Sequence, residues 1–185
     1  MDIISLENNH LKDIYSLYLY MNVNNAESSE WNTRYPWTLW YHSVTDNNWD
    51  IDSYNKLFTI NNLCDYEILK DCIKKMHLQN CMLFLMKDNI LPIWEDPENI
   101  NGSSLSFKIL GKDVVKSWTD IILYTITEDI NLNENHNING LSISPKKEFN
   151  IIKIWTKDSV NKYSDLYKEY GKLFSDKNVI IKSHK

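Results

Sequence analysis

The amino-acid sequence predicts an α+β fold, with a curved, mostly antiparallel sheet and helices packed on one of its faces. Two observations predict it. From Trp31 onward, strand-like and helix-like segments follow the order β-β-α-β-β-α-β-β-α-β, in which adjacent strand pairs form antiparallel hairpins. The 185 residues are 43% hydrophobic and 24% charged, the composition of a globular domain with one core. The face without helices is then free to hold a site.

The first 30 residues are predicted to form an extension that is separate from a folded domain over residues 31–185. Apolar residues recur at helical spacing over 9–21, which predicts an amphipathic helix, and the polar stretch over 22–30 predicts a linker. The apolar stripe of that helix consists of Leu11, Ile14, Leu17, Tyr18 and Met21.

Within the domain, alternating or continuous apolar segments rich in strand formers predict seven strands. Asn62 and Ser159 can cap the first and third of three predicted helices, and apolar periodicity predicts the second. The strands are expected over 37–42, 56–60, 81–86, 105–110, 140–144, 149–155 and 178–182, and the helices over 63–77, 113–127 and 160–174. Polar loops are expected over 45–52, 87–104 and 131–139.

Charge and residue types exclude several classes of function. The 20 basic and 25 acidic residues give a net charge of -5, so the chain does not bind nucleic acid by bulk charge. Its three cysteines form no C-x-x-C pair and its five histidines show no ligand spacing, which predicts free thiols and no metal site. No signal peptide, membrane span or nucleophile–base pair is recognised, so no catalytic residue and no cofactor is expected.

Two tryptophans in different polar loops, Trp49 and Trp94, are the most informative residues. Their indoles can hold a flat ligand between them, and Glu95 can accept two N–H bonds from one edge of guanine. A positively charged base would be attracted to both indole faces. Stacking contributes about 1–3 kcal/mol per base and the paired hydrogen bond about 1.5–3 kcal/mol. The alternative is that these tryptophans only edge the core and that Glu95 is solvated.

Three motifs give the chain a resemblance to the eukaryotic translation initiation factor 4E family, the messenger-RNA cap-binding proteins. They are Trp37-Thr38-Leu39-Trp40, Pro92-Ile93-Trp94-Glu95-Asp96 with Asn99, and Ile152-Lys153-Ile154-Trp155-Thr156, and the resemblance runs from about Trp31 to the C-terminus. It implies three helices on the convex face of the sheet and a cap pocket on the concave side. Trp49 and Trp94 would enclose 7-methylguanine, Glu95 would bind its N1 and N2 hydrogens, and Trp155 would contact the N7-methyl group.

The residues that would bind the cap triphosphate depart from the family pattern. The family's phosphate arginine falls on Lys146, a point charge without the bidentate fork of arginine. Its phosphate lysine falls on Ile151, but Lys153 shares a strand face with Trp155 and can replace the charge. We expect Lys147 to be a solvated surface charge.

The surface that binds the family's scaffold partner departs further. The family's His-Pro-Leu stretch is replaced here by Trp31-Asn32-Thr33, and its helix tryptophan falls on Glu67. Leu63 and Leu123 keep apolar contacts there, and Asp120 keeps an acid. Because a tryptophan anchor is lost, scaffold peptides of the Tyr-x4-Leu-apolar type are expected to bind poorly. The helix over 9–21 is an alternative cover for this surface.

Four hypotheses follow. The first is a monomeric cytoplasmic translation initiation factor that binds capped messenger RNA, with a divergent scaffold partner and no membrane contact. The second is a cap-binding repressor or decoy, which the altered scaffold surface favours, although a viral factor with its own partner has the same features. The third is a cap-hydrolysing or cap-modifying enzyme using Glu95, Asp96 and Glu98. We rank it lower because these acids share one loop, with no second acidic cluster to complete a metal site. The fourth is an α+β interaction module that does not bind caps.

Arg34 is the only arginine, a bias of AT-rich genomes such as those of giant viruses or some protists.

Overall fold

The computed structural model describes residues 31–128, 138–160 and 179–185. One seven-stranded sheet, in which every pairing is antiparallel, forms the centre of the described fold. Its strands are β1 (Asn32–Ser43), β2 (Asn55–Asn62), β3 (Cys81–Lys87), β4 (Ser103–Leu110), β5 (Ile138–Pro145), β6 (Phe149–Thr156) and β7 (Ile180–Ser183). They lie in the order β2-β1-β3-β5-β6-β4-β7. The α+β prediction and all seven predicted strands are confirmed.

Three α-helices lie within the described residues: α1 (Leu63–Cys72), α2 (Lys75–Asn80) and α3 (Val114–Ile126). Asn62 caps α1 as predicted, because its side-chain oxygen accepts a bond from the Asp65 N–H at 2.9 Å. The prediction of one continuous helix over 63–77 is wrong. Ile73 adopts an extended backbone between α1 and α2, and its side chain is buried in the core.

Other expectations fall outside the described residues. These are the extension over residues 1–30 with its helix over 9–21, the helix over 160–174, and most of the loop over 131–139. The predicted boundary between residues 30 and 31 therefore stays a prediction. Within the described ranges, no helix combines the length and the apolar character needed to cross a bilayer.

The two faces of the sheet differ because side chains alternate along each strand. One face buries Leu39, Leu85, Leu141 and Ile154 against the helices in the main core. The opposite face carries a smaller aromatic cluster, Tyr54, Phe84, Met86 and Trp155, with Trp40, Ile93 and Trp94 packed against it. Trp37 and Trp118 belong to the main core, whereas Trp40 is half-buried on the opposite face. The second cluster forms the floor of the site.

Candidate functional site

A cavity of about 340 Å³ opens on the sheet face opposite the helices. The loop between β1 and β2, the loop between β3 and β4, and strands β3, β5 and β6 contribute its walls. The lining residues are Trp49, Tyr54, Met82, Phe84, Pro92, Ile93, Trp94, Glu95, Ser142, Ser144, Lys153 and Trp155. The fold therefore brings together five of the six residues predicted to bind the cap.

Trp49 projects from the β1–β2 loop and is 53% exposed. Its indole stacks on the His42 imidazole with ring centroids 4.5 Å apart and an interplanar angle of 4°. The loop is folded by short polar residues: the Asn48 N–H donates to Asp46 at 2.8 Å, and the Asp50 N–H donates to the Asn48 side chain at 2.9 Å. Trp49 is therefore held at the cavity while most of its surface is available to a ligand.

Two buried polar residues shape the loop that carries Trp94. The Asp96 carboxylate accepts the Leu91 N–H at 3.0 Å and the Glu98 N–H at 2.9 Å. The Asn99 amide donates to the carbonyls of Leu91 and Ile93 at 3.0 and 2.8 Å. Both carboxylate oxygens of Asp96 are therefore engaged in holding the loop, which positions Trp94 and Glu95.

Trp155 forms the base of the cavity and is 2% exposed. Its indole N–H donates to the Ser142 hydroxyl at 3.0 Å. The Trp94 and Phe84 rings each meet it nearly edge-on, at centroid distances of 6.4 Å. Trp94 and Trp155 thus form a fixed aromatic corner.

Glu95 is an exposed carboxylate at the cavity wall, and no hydrogen bond or ion pair joins it to any of the described residues. Burial, with a smaller contribution from the Glu95 charge, raises the pKa of Tyr54 to about 12. Glu98 instead pairs with Lys157 at 2.8 Å, outside the cavity. In the described ranges no three His, Cys, Asp or Glu side chains are grouped as a metal site.

Cationic side chains gather beside Trp94. The ammonium of Lys153 lies 5.6 Å from the ring centroid of Trp94, and that of Lys182 lies 4.5 Å from it. Burial, together with the charges of Lys182 and Lys146, lowers the pKa of Lys153. Lys146 is exposed in the turn between β5 and β6, and it does not line the cavity.

Four residues near the site were not predicted from the sequence: His42, Tyr54, Lys182 and His184. Lys182 reaches Trp94 because β4 lies between β7 and β6 in the sheet. Ser104 of β4 pairs with Lys182 of β7 on one side and with Trp155 of β6 on the other, so Lys182 lies in register with the base of the cavity. His184 stacks on Trp94 at 5.4 Å and donates from Nδ1 to the Asn99 carbonyl at 2.7 Å. His42 lies two residues after Trp40 on the same face of β1, so the alternation of side chains along that strand could have placed it beside the site.

The residues predicted to bind a partner lie on α1 and α3. Leu63 and Leu123 are half-buried against the main core. Glu67 is exposed and pairs with Lys70 at 2.9 Å, and Asp120 accepts a bond from Lys116. Both acids act on Tyr66, which lies between the helices. Burial, with smaller contributions from the charges of Glu67 and Asp120, raises the pKa of Tyr66 to about 12.

The fold and the cavity define a small α+β domain whose sheet presents an aromatic pocket opposite its helices. The family model described as eukaryotic initiation factor 4E matches residues 32–182. The chain therefore belongs to the eukaryotic initiation factor 4E family.

Two relatives show how far the chain has diverged. It is 30% identical over 129 residues to eukaryotic translation initiation factor 4E-1 of Caenorhabditis elegans, a match covering 66% of this chain and 60% of the relative. It is 29% identical over 144 residues to eukaryotic translation initiation factor 4E of Candida albicans, covering 70% of this chain and 68% of the relative.

Solved structures share the fold at lower identity. The complex of Ascaris suum eIF4E-3 with m7G cap superposes with a TM-score of 0.68 at 19% identity, covering 83% of this chain and 91% of the other. The complex of C. elegans eIF4E-3 with the 4E-binding protein Mextli and cap analog gives a TM-score of 0.61 at 20% identity, covering 69% and 74%. At these identities the likeness shows the fold.

Proposed function

We propose that this protein binds the 7-methylguanosine cap of messenger RNA and acts in translation initiation. One observation carries the proposal: a single cavity collects Trp49, Trp94, Glu95 and Trp155 from separate parts of the chain. The family membership supports it, as does the m7G cap in the Ascaris suum complex. The protein would act by binding, without catalysis, as a cytoplasmic monomer.

The side chains suit a cationic, flat base. Trp49 and Trp94 would stack on its two faces, each contributing about 1–3 kcal/mol. Glu95 would accept the N1 and N2 hydrogens, and because it has no competing partner among the described residues, its carboxylate is ready to receive them. Trp155 would contact the N7-methyl group from the base of the cavity.

The cap phosphates would lie toward Lys153, which is half-buried at the cavity wall, with Lys146 contributing from the exposed turn. Lys182 adds a further cation near Trp94. Together these lysines would replace the arginine and lysine that the family pattern has elsewhere.

Repression of translation remains the second candidate function, and the helical face favours it. Solved relatives bind the 4E-binding proteins that their complexes contain, including Mextli. Here Glu67, in an ion pair with Lys70, stands where the family has a tryptophan. We propose that a protein partner binds this face without that anchor and that the usual scaffold peptides bind it weakly.

Tryptophan fluorescence tests cap binding directly. Titration with 7-methyl-GTP should quench the wild type, whereas GTP should quench it far less. Glu95→Gln should weaken 7-methyl-GTP binding by about 10- to 150-fold, from the loss of about 1.5–3 kcal/mol of charge-assisted bonding. Glu98→Gln is the matched control, because it removes a charge from the same loop outside the cavity, and its affinity should be unchanged.

The alternatives have distinct outcomes in the same experiment. Absence of quenching by either nucleotide would favour the interaction module. Equal losses in Glu95→Gln and Glu98→Gln would refute the role given to Glu95. Incubation with 7-methyl-GTP and magnesium, followed by chromatography, should return the nucleotide intact, and a hydrolysis product would support the enzyme hypothesis.

A further inference from the structure

Three neighbouring strands, β6, β4 and β7, have lysines as their only charged residues. Side chains alternate between the two faces of each strand, and those turned toward the main core are Leu105, Phe107, Ile109, Ile152, Ile154 and Ile181. The lysines, Lys108, Lys153 and Lys182, therefore all lie on the opposite face, which is the face of the aromatic cavity. In a chain whose net charge is -5, this concentration of positive charge is local.

The positive charge on these strands is not neutralised within the described part of the fold. None of the three lysines forms an ion pair with another described residue. By contrast, Lys70 on the helical face pairs with Glu67 at 2.9 Å. Lys108 and Lys182 are exposed, so both are accessible to an anion. Unpaired cations that continue beyond a cavity indicate an anionic ligand larger than the cavity itself.

We propose that this lysine face, defined by Lys108, Lys153 and Lys182, binds the phosphate backbone of the RNA strand that follows the cap. The inference rests on the proposed function, in which the cavity holds the 5′ end of that strand. An RNA strand that leaves the cavity has to cross an adjoining surface, and its backbone carries a negative charge at every phosphate. Lysine ammonium groups bind phosphate oxygens as point charges and do not select the base.

The charges around the cavity give the RNA strand a direction. The β1–β2 loop, which carries Trp49, has no basic residue and three acidic ones: Asp46, Asp50 and Asp52. These carboxylates would repel a phosphate backbone. At the wall formed by Trp94, the ammonium groups of Lys182 and Lys153 lie 4.5 and 5.6 Å from its ring centroid. The strand should therefore leave the cavity past Trp94 and cross β6, β4 and β7.

The register of the strands extends the positive charge beyond the cavity. Lys108 of β4 pairs with Ile151, which lies two residues from Lys153 on the same face of β6. With strands about 4.8 Å apart and a rise of about 3.4 Å per residue, the Cα atoms of Lys108 and Lys153 lie about 8 Å apart. Lys108 does not line the cavity. It is therefore placed to meet a phosphate of the RNA strand and not a phosphate of the cap.

Exposed apolar side chains accompany the lysines. Ile180 is 69% exposed and Leu110 is 53% exposed, and both lie on the lysine face. The Lys108 ammonium lies 4.3 Å from the ring centroid of Phe149. Proteins that bind single-stranded nucleic acid without sequence preference combine positive charge for the backbone with ring surfaces for the bases. The lysine face has both features, so we expect it to bind RNA of any sequence.

Affinities of the full chain for the cap dinucleotide 7-methyl-GpppG and for a short capped single-stranded RNA, measured by fluorescence, test the lysine face. The wild type should bind the capped RNA more tightly, and this affinity should fall more steeply with salt. Lys108→Glu should weaken capped-RNA binding by about tenfold and reduce the salt slope by about 0.7, the value for one lost phosphate contact. Its affinity for the cap dinucleotide should stay unchanged. Lys70→Glu is the matched control, because it makes the same charge change on the helical face, and it should bind capped RNA like the wild type.

Three results would overturn the inference. Equal wild-type affinities for capped RNA and for the cap dinucleotide would refute it, and this result is expected if an acidic protein binds the lysine face instead. Equal losses in Lys108→Glu and Lys70→Glu would assign the effect to net charge. An equal loss of both ligands in Lys108→Glu would show that the variant disturbs the cavity.

Failure of the proposed function gives a different result. In that case the wild type binds neither 7-methyl-GTP nor the cap dinucleotide. Uncapped RNA of the same sequence then decides the inference, because it should bind the wild type weakly and Lys108→Glu more weakly still. Uncapped RNA that binds both proteins equally would contradict the role of the lysine face.

Discussion

Replacing Lys153 by methionine should have opposite effects on stability and on ligand binding. Lys153 is half-buried, and burial with the charges of Lys182 and Lys146 lowers its pKa below 10.5. A base whose pKa is lowered on folding binds fewer protons in the folded state than in the unfolded state. Its charge therefore costs stability at neutral pH, and this cost is relieved as the pH rises through the folded pKa toward 10.5.

A bound triphosphate changes the sign of this contribution. One charge-assisted hydrogen bond from a half-buried ammonium to a phosphate oxygen contributes about 1.5–3 kcal/mol, so Lys153→Met should weaken 7-methyl-GTP binding by about 10- to 150-fold. Lys146 is exposed, and an exposed ion pair contributes about 0–1 kcal/mol, so Lys146→Met should weaken binding by about fivefold at most. Neither change should affect 7-methylguanosine, which has no phosphate.

Fluorescence titrations with 7-methyl-GTP and with 7-methylguanosine, for both variants and the wild type, measure these effects. Thermal unfolding at neutral pH without ligand measures the change in stability, and the unfolding midpoint of Lys153→Met should be higher than that of the wild type. Equal losses for both ligands would show that the variant distorts the aromatic pocket. A lower unfolding midpoint for Lys153→Met would refute the electrostatic argument.

Three further predictions concern the frame of the site and its helical face. Gly102→Ala should lower the free energy of unfolding by about 1–3 kcal/mol or more, because the added Cβ would overlap the Thr156 backbone carbonyl, whose carbon would be only 2.9 Å away. Chemical denaturation measures this change, and a variant as stable as the wild type would contradict the prediction. Since the pKa of His184 is lowered on folding, stability should fall as the pH drops below 6.5, and His184→Phe should remove part of this dependence in unfolding curves measured from pH 7 to pH 5. Calorimetry should show weak wild-type binding of a Tyr-x4-Leu-apolar peptide and a gain of at least about tenfold in Glu67→Trp, with submicromolar wild-type binding as the contradicting result.

The strands were predictable because their signal is local. Alternation in β1 and the apolar run of β3 reflect the period of two residues along a strand, whichever neighbour each strand pairs with. The single helix over 63–77 failed for a tertiary reason. The core accepts both Ile73 and Leu78, and the chain breaks between α1 and α2 at the extended Ile73.

The site was predictable in its chemistry and less so in its membership. Trp49, Trp94 and Glu95 stood out as residue types in an unusual pattern, the family resemblance added Trp155, and the cavity contains all four. Lys153 joined them through strand alternation, which the sequence shows directly. Lys146 lies outside the cavity lining. The sequence could not predict this, because a residue in a turn shows no alternation that indicates the face on which it lies.

The sequence by itself determined the fold class, the seven strands and the kinds of side chain available to a ligand, because these depend on local periodicity and residue chemistry. Only the tertiary structure decided which of these groups meet. Lys182 reaches Trp94 through the pairing of β7 with β4, and the loop returns the Asn48 carbonyl to His42. Such contacts depend on strand register and loop geometry, which are set by the packing of residues distant in the chain.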